Sequence, residues 1–253
     1  MAIKSTDFIG SLAKGLAVLE GFGAQGARLS VSQAAEAAGL DRAGARRCLL
    51  TLAELGYLQH DGKFFTLTPK VLRLGIGALA AMPLAQVVQP WLEQLSERIG
   101  ESVTVSVFDE TEIVYVARAA QKRVMSIGLM SGSRLPAHCT SMGRVLLAAL
   151  PEAQAAAVLD RSDLSPRTVY SVTDLAMLKA LLVQVRGQGF ALVDQEVEIG
   201  LRSLAVPLRN GHGTVVAALN VGVAAAQRTA AELVEVVLPQ LKAVQDGVAR
   251  VLP

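Results

Sequence analysis

The sequence predicts an α+β protein in two parts, an N-terminal winged helix-turn-helix and a larger domain around a mostly antiparallel sheet. Three observations carry this. Residues 28–67 hold two short helical patterns separated by Gly39-Leu40 and followed at once by a hairpin pattern. From Glu101 the hydrophobic period changes from helical to two. Beyond that point strand and helix patterns interleave, with hairpins linking several strands, as α+β domains require. The 253 residues are enough for two cores. The expected division is a DNA-binding domain over 1–68, a linker helix over 69–82 and a second domain over 83–253.

Composition excludes several classes. Hydrophobic residues make up 52% of the chain, far from the disorder regime. Mean hydropathy is +0.42, yet no stretch approaches 18 uninterrupted apolar residues, so no membrane partner is expected. The N-terminus, MAIKSTDFIG, lacks an apolar export segment. Two cysteines, Cys48 and Cys139, give neither a disulfide framework nor zinc-ligand spacing. The expected compartment is the reducing cytoplasm. The net charge of +2 is uneven: residues 1–80 carry nine basic against six acidic residues, leaving the remainder slightly acidic. A nucleic-acid contact confined to one end suits this.

In chain order, Phe8, Leu12, Leu16, Leu19 and Phe22 recur at three- and four-residue spacing, predicting an amphipathic helix with Ser11 as its cap. Ser32 before QAAEAA reads as the cap of a short helix that Gly39 closes. Asp41 caps the next, over about 42–55, whose apolar stripe is Ala45, Cys48, Leu49, Leu52 and Leu55. Arg46 and Arg47 fall on its opposite side, with Arg42 at the margin. Ala43 and Gly44 are small enough to let the helix start approach base edges, while arginines reach phosphates or guanine. A solvated basic helix face is the competing reading. Asp61-Gly62 between short apolar runs marks a hairpin, the wing, with Lys63 placed for a phosphate and His60 on its surface. The candidate DNA-contacting set is Ser32, Arg42, Ala43, Gly44, Arg46, Arg47 and Lys63.

Pro69 opens the linker helix, and residues 84–99 form another helix in which Trp91 anchors packing. VTVSVF (103–108), EIVYVAR (112–118) and VMSIGLM (124–130) read as strands. Residues 131–137 read as a small-residue loop leading into a helix over 140–150. Helices follow at 151–160 and 174–187, strands at 190–194, 203–209 and 214–222, and a final helix at about 229–251. Asn210-Gly211-His212-Gly213 turns the last hairpin.

Cys139 beside His138 at a helix start invites a test for catalysis, but adjacent side chains in extended backbone point apart. Asp194 and Glu196, two apart, could form a carboxylate pair or a structural corner. An enzyme acting on a small carboxylate through either feature is the alternative. No Walker motif or dinucleotide fingerprint is present, and no cofactor or metal is expected. A binding pocket fits better. The helix start at Thr140-Ser141-Met142 offers free amides and a positive dipole end for a carboxylate. Ser131, Ser133 and Thr140 add hydroxyls, and Ile127, Leu129 and Leu135 add apolar walls. Arg134 is either a bidentate partner or a surface charge.

These residues resemble the IclR family of transcriptional regulators. SLAKGLAVLEGF, the helix-turn-helix with GYL, PAHCTSMGRVLLA and DQEVEIGLRSLAVPLR follow the family's order and spacing over nearly the whole chain. FIGSLAKGLAVLEGF and DRAGARRCLLTL are most similar to the branch containing PcaR, PcaU and PobR. That branch regulates aromatic-acid catabolism through protocatechuate, 4-hydroxybenzoate and the β-ketoadipate pathway. The resemblance implies a regulator, not an enzyme, that binds operator DNA as a dimer or dimer of dimers. It further implies a GAF-like effector domain for a small carboxylate, with contacts at Ile127, Leu135, Ser141, Met142, Ser203, Asn220 and Gly222. The chain departs from the pattern at Ser203, where many members have Cys, and at Asn220, where small hydroxyl residues are usual.

Overall fold

The computed structural model describes residues 7–74, 83–121 and 129–252. The chain divides into two compact units, Met1–Ala81 and Met82–Pro253.

In the first unit, α1 (Gly10–Gln25), α2 (Val31–Ala37) and α3 (Arg42–Glu54) pack beside a three-stranded sheet. That sheet comprises β1 (Arg28–Leu29), β2 (Leu58–His60) and β3 (Phe65–Leu67), in the order β1-β3-β2. The strand β1 was not legible, because two residues carry no periodicity. The cap of α2 is Ser30, not Ser32: Gln33 returns its side chain to the Ser30 amide at 2.9 Å, completing a capping box. Gly39 takes φ +62, the left-handed conformation that lets the chain reverse into α3. Asp41 caps α3 as its position predicts, accepting from the Gly44 amide at 2.8 Å.

The core of this unit is Val18, Phe22, Leu29, Ala34, Leu49, Leu52, Leu58 and Phe65. The predicted stripe on α1 is therefore rotated. Phe22 is buried, but Phe8, Leu12 and Leu16 are exposed, and Ser11 lies inside the helix whose cap position is Ile9. Leu12 and Leu16 line an apolar groove with Leu52, Leu55 and Leu74 instead. The wing turn is longer than Asp61-Gly62 alone. Asp61 accepts from the amides of Lys63 and Phe64, and β3 begins only at Phe65. Pro69 starts a 3-10 turn, Pro69–Val71, and most of the predicted linker helix lies outside the described residues.

The second unit is a six-stranded antiparallel sheet covered on both faces. Its strands are β4 (Ser102–Asp109), β5 (Glu112–Ala119), β6 (Arg134–Pro136), β7 (Ala191–Asp194), β8 (Leu201–Arg209) and β9 (Val215–Ala224). Their order is β6-β5-β4-β9-β8-β7. One face packs on α4 (Pro83–Ile99) and on the C-terminal helix α8 (Leu238–Ala249), through residues such as Leu92, Leu95, Val105, Leu204, Leu219 and Leu241. Trp91 anchors this layer as predicted: its ring stands so close to Gly247 of α8 that a Cβ there would fall 2.5 Å from it. The other face packs on α5 (Ser141–Ala149), α6 (Glu152–Arg161) and α7 (Leu175–Gln188). The segment read as a loop over 131–137 contains β6, and the strand expected at 124–130 falls mostly outside the described residues.

Candidate nucleic-acid interface and ligand cavity

The two helices and the turn between them set the face that α3 presents. With Ala45, Leu49 and Leu52 buried, rotation by about 100° per residue carries Ala43, Arg46, Arg47 and Leu50 to the far side. All four are exposed, as is Arg42. Among the described residues none of the three arginines forms an ion pair, so the face is a set of free cations around one small residue. Gly44 does not belong to it. Gly44 is buried, and a Cβ there would stand 3.1 Å from the Asp41 carboxylate, so its small size serves the cap. Ser32 is exposed in the first turn of α2. At the wing Lys63 and Arg28 both lie over the Phe64 ring, at 5.2 and 4.3 Å, and Arg28 also pairs with Asp61. Lys63 has no such carboxylate partner among the described residues and remains available.

In the second unit strand register builds a cavity. On the face toward α5, β8 and β9 carry Ser203, Ala205, Ala218, Asn220 and Gly222, while Leu204, Val206, Leu208, Leu219, Val221 and Val223 point to the other side. Ser203 pairs with Gly222, which pairs with Ser102, and Asn220 pairs with Thr104. A row of small and polar side chains therefore crosses three strands, leaving space below the start of α5. Tyr115, Arg118, Leu129, Leu135, Val197 and Leu201 form the walls, and Thr140, Ser141 and Met142 the roof. Thr140 caps α5, accepting from the Gly143 amide at 3.1 Å and donating to Pro136 O at 3.0 Å. Gly143 is compulsory here, since a Cβ would lie 2.2 Å from the Ala137 carbonyl oxygen. The Ser203 hydroxyl donates to the Ser141 hydroxyl at 2.9 Å, tying roof to floor.

Of the residues singled out in the sequence, Leu129, Leu135, Thr140, Ser141, Met142, Ser203, Asn220 and Gly222 meet at this one cavity. Ile127 lies outside the described residues. Arg134 does not line the cavity. It sits on the edge strand β6 and binds Asp109 at 2.8 Å and Glu112 at 2.7 Å, so it is the surface charge of the two readings. The cavity's cation is Arg118, which sequence reading missed for a definite reason. Counting alternately from Tyr115 puts residue 118 on the opposite face. In the structure Tyr115 pairs with Ser106 and Ala117 with Val105, leaving Val116 as an extra residue in the ladder. This bulge re-aims Arg118 to the same side as Tyr115. Ser102 and Thr104 were also missed, because polar residues alternating along a strand read as solvent-facing. Burial pushes the Tyr115 phenol up to about 12, opposed in part by Arg118, so it stays protonated at neutral pH as a donor.

The features considered for catalysis are occupied otherwise. Cys139 is buried, and burial pushes its thiol up to about 11, far from a reactive thiolate. Asp194 and Glu196 do not form a carboxylate pair. Asp194 binds Arg202 at 2.8 Å, whereas Glu196 binds Arg144 at 2.6 Å in a buried pair and also accepts from the Val172 amide. Both serve as structural corners. Burial, then the neighbouring Arg144, holds the His138 imidazole below its ordinary range; Asp163 partly offsets them.

A winged helix with a cationic face unpaired among the described residues, in one chain with a small cavity lined by polar and apolar groups, defines a DNA-binding regulator with a sensing domain. Family models agree: the IclR helix-turn-helix domain matches residues 11–62, and the bacterial transcriptional regulator IclR C-terminal domain matches 76–250. The chain belongs to the IclR family of transcriptional regulators. It is 44% identical over 238 residues to the Pca regulon regulatory protein of Pseudomonas putida, covering 94% of this chain and 82% of that one. A solved double mutant of the PobR inducer-binding domain from Acinetobacter, complexed with 3-hydroxybenzoic acid, is 32% identical. It superposes with a TM-score of 0.62 over 66% of this chain and 97% of that one. An IclR homologue from Microbacterium hydrocarbonoxydans, complexed with 4-hydroxybenzoate, is 25% identical, with a TM-score of 0.75 over 95% and 99% of the two chains.

Proposed function

We propose that this protein is a cytoplasmic, dimeric regulator that binds operator DNA through α3 and the wing and is switched by a small aromatic acid in the cavity of its second unit. Arg42, Arg46 and Arg47 contact DNA around Ala43, and Ser32 and Lys63 reach flanking phosphates. The observation that carries the reading is the exposed cationic face of α3, whose arginines form no ion pair among the described residues. The aromatic-acid class rests on the hydroxybenzoates bound by the two solved relatives and on the cavity's make-up, apolar walls with a few converging polar groups. Among the lining residues taken up from the sequence, Leu129, Leu135 and Met142 flank the ring and Gly222 leaves room for it, while Thr140, Ser141, Ser203 and Asn220 meet its polar substituents. The apolar groove between α1 and α3 suits a second copy, as paired half-sites on DNA require.

The test starts from DNA that the full-length protein selects out of a random pool. Arg46→Ala and Arg47→Ala each weaken binding by on the order of 1–3 kcal/mol or lower the salt slope by about one, without unfolding the chain. Unchanged affinity and salt slope in both variants would refute the assignment of α3.

A further inference from the structure

Among the described residues the cavity holds a charge without a counter-charge. Its lining includes serines, threonines, a tyrosine, an asparagine and apolar residues, and Arg118 is the sole ionisable cation among those described. Arg118 is half-buried. Its Nη1 donates to the Leu129 carbonyl oxygen, while its Nε is fully buried with no partner. Among the described residues it forms no ion pair. The neighbouring stretch 121–130, QKRVMSIGLM, contains no acidic residue that could supply one. A guanidinium withdrawn from water with donors unused is costly unless an anion meets it. The fold goes out of its way to place it: without the extra residue at Val116, the side chain would point into the core on the other face.

We infer that Arg118 is the anchor for the effector's carboxylate, binding it through the edge of the guanidinium that Leu129 leaves unused. Tyr115, protonated and on the same side of β5, stands beside it as a further donor. The effector's second polar group then faces the Ser141–Ser203 hydroxyl pair and Asn220 across the cavity. The cavity thus reads a carboxylate at one end and a hydroxyl or second oxygen-bearing group at the other, over a floor of Ser102 and Thr104 and between the apolar walls Leu129 and Leu135. This rests on the proposed ligand-binding role of the cavity and adds the residue that reads the charge.

The experiment compares acids with their neutral amides on the full chain by calorimetry. The probes are 4-hydroxybenzoate, protocatechuate and adipate against 4-hydroxybenzamide, 3,4-dihydroxybenzamide and adipamide. Wild type prefers at least one acid over its amide by about tenfold to a hundredfold, the range for a hydrogen bond to a charged group. Arg118→Gln abolishes that preference while still binding the amide, which also shows that the cavity is formed. Arg118→Lys keeps part of the preference and decides the matter if the Gln variant does not fold. Which acid wins identifies the far-end group. An unchanged acid-to-amide ratio in Arg118→Gln, or no preference in Arg118→Lys where the Gln variant is unfolded, overturns the assignment and leaves the cavity's role standing. Failure of wild type to bind any of the six overturns both.

Discussion

Arg144 and Arg118 both serve the α5 side of the sheet, but among the described residues only Arg144 of the two has a carboxylate partner. Arg144 rises from α5 and meets Glu196 at 2.6 Å with both side chains buried, and its Nε donates to His138 O at 2.9 Å. Glu196 in turn holds the Val172 amide, and its carbonyl accepts from Ser171 at 2.7 Å, so one ion pair fastens α5, the 168–172 strap and the β7–β8 connection. Among the described residues the Arg118 side chain has one hydrogen-bond partner, the Leu129 carbonyl oxygen. A buried charge that is fully paired belongs to the scaffold, whereas one left partly unpaired marks the place where a ligand completes the structure.

The comparison can be broken most sharply at Arg144. Removing one partner of a buried pair strands the other, so Arg144→Met or Glu196→Gln costs on the order of 3–5 kcal/mol in urea unfolding. The double replacement Arg144→Met/Glu196→Leu recovers much of that loss. Little loss in either single variant would mean the pair is not the fastening described. Arg118→Met, by contrast, orphans no carboxylate and changes stability by only about 1 kcal/mol, the scale of one hydrogen bond. A loss as large as that of Arg144→Met would make Arg118 structural as well.

The smallest effect concerns His138, whose carbonyl holds Arg144 and whose ring is kept neutral by burial and by that same guanidinium. Because its folded pKa lies below the unfolded value near 6.5, the unfolded chain binds the extra proton first. Its contribution is therefore complete above about pH 6.5 and is lost as pH falls below that. His138→Gln should flatten the acid side of a stability–pH curve. An unaltered curve would show that the imidazole is not held neutral in the fold.

Local signals made the reading head legible. Asp41, Gly39 and the apolar stripe of α3 act within a few residues of themselves, so the helix-turn-helix follows from sequence alone. The Ser30–Gln33 capping box was present as S-x-x-Q and overlooked in favour of Ser32. The cavity was legible where one element builds it, as at Thr140–Met142, or where the family resemblance pointed, as at Ser203, Asn220 and Gly222. It was opaque where placement depends on a partner strand. Arg134 could be assigned to the surface only once β6 paired with β5 beside Glu112. Arg118 could be brought inside only by a bulge, which has no sequence period. The exposed Leu12 and Leu16 follow the same rule, since which side of α1 is buried depends on what packs against it.

The most direct measurement is the stabilisation of wild type and of Arg118→Met by 4-hydroxybenzoate, each at a hundred times the wild-type dissociation constant. Ligand linkage gives about 2.7 kcal/mol for a protein that binds at that affinity. Wild type should gain that amount and Arg118→Met, stable and folded, only about 0.4 to 1.4 kcal/mol, the stabilisation left after a hundredfold to tenfold loss of affinity. Equal stabilisation of the two would contradict the central claim that this guanidinium waits for a carboxylate.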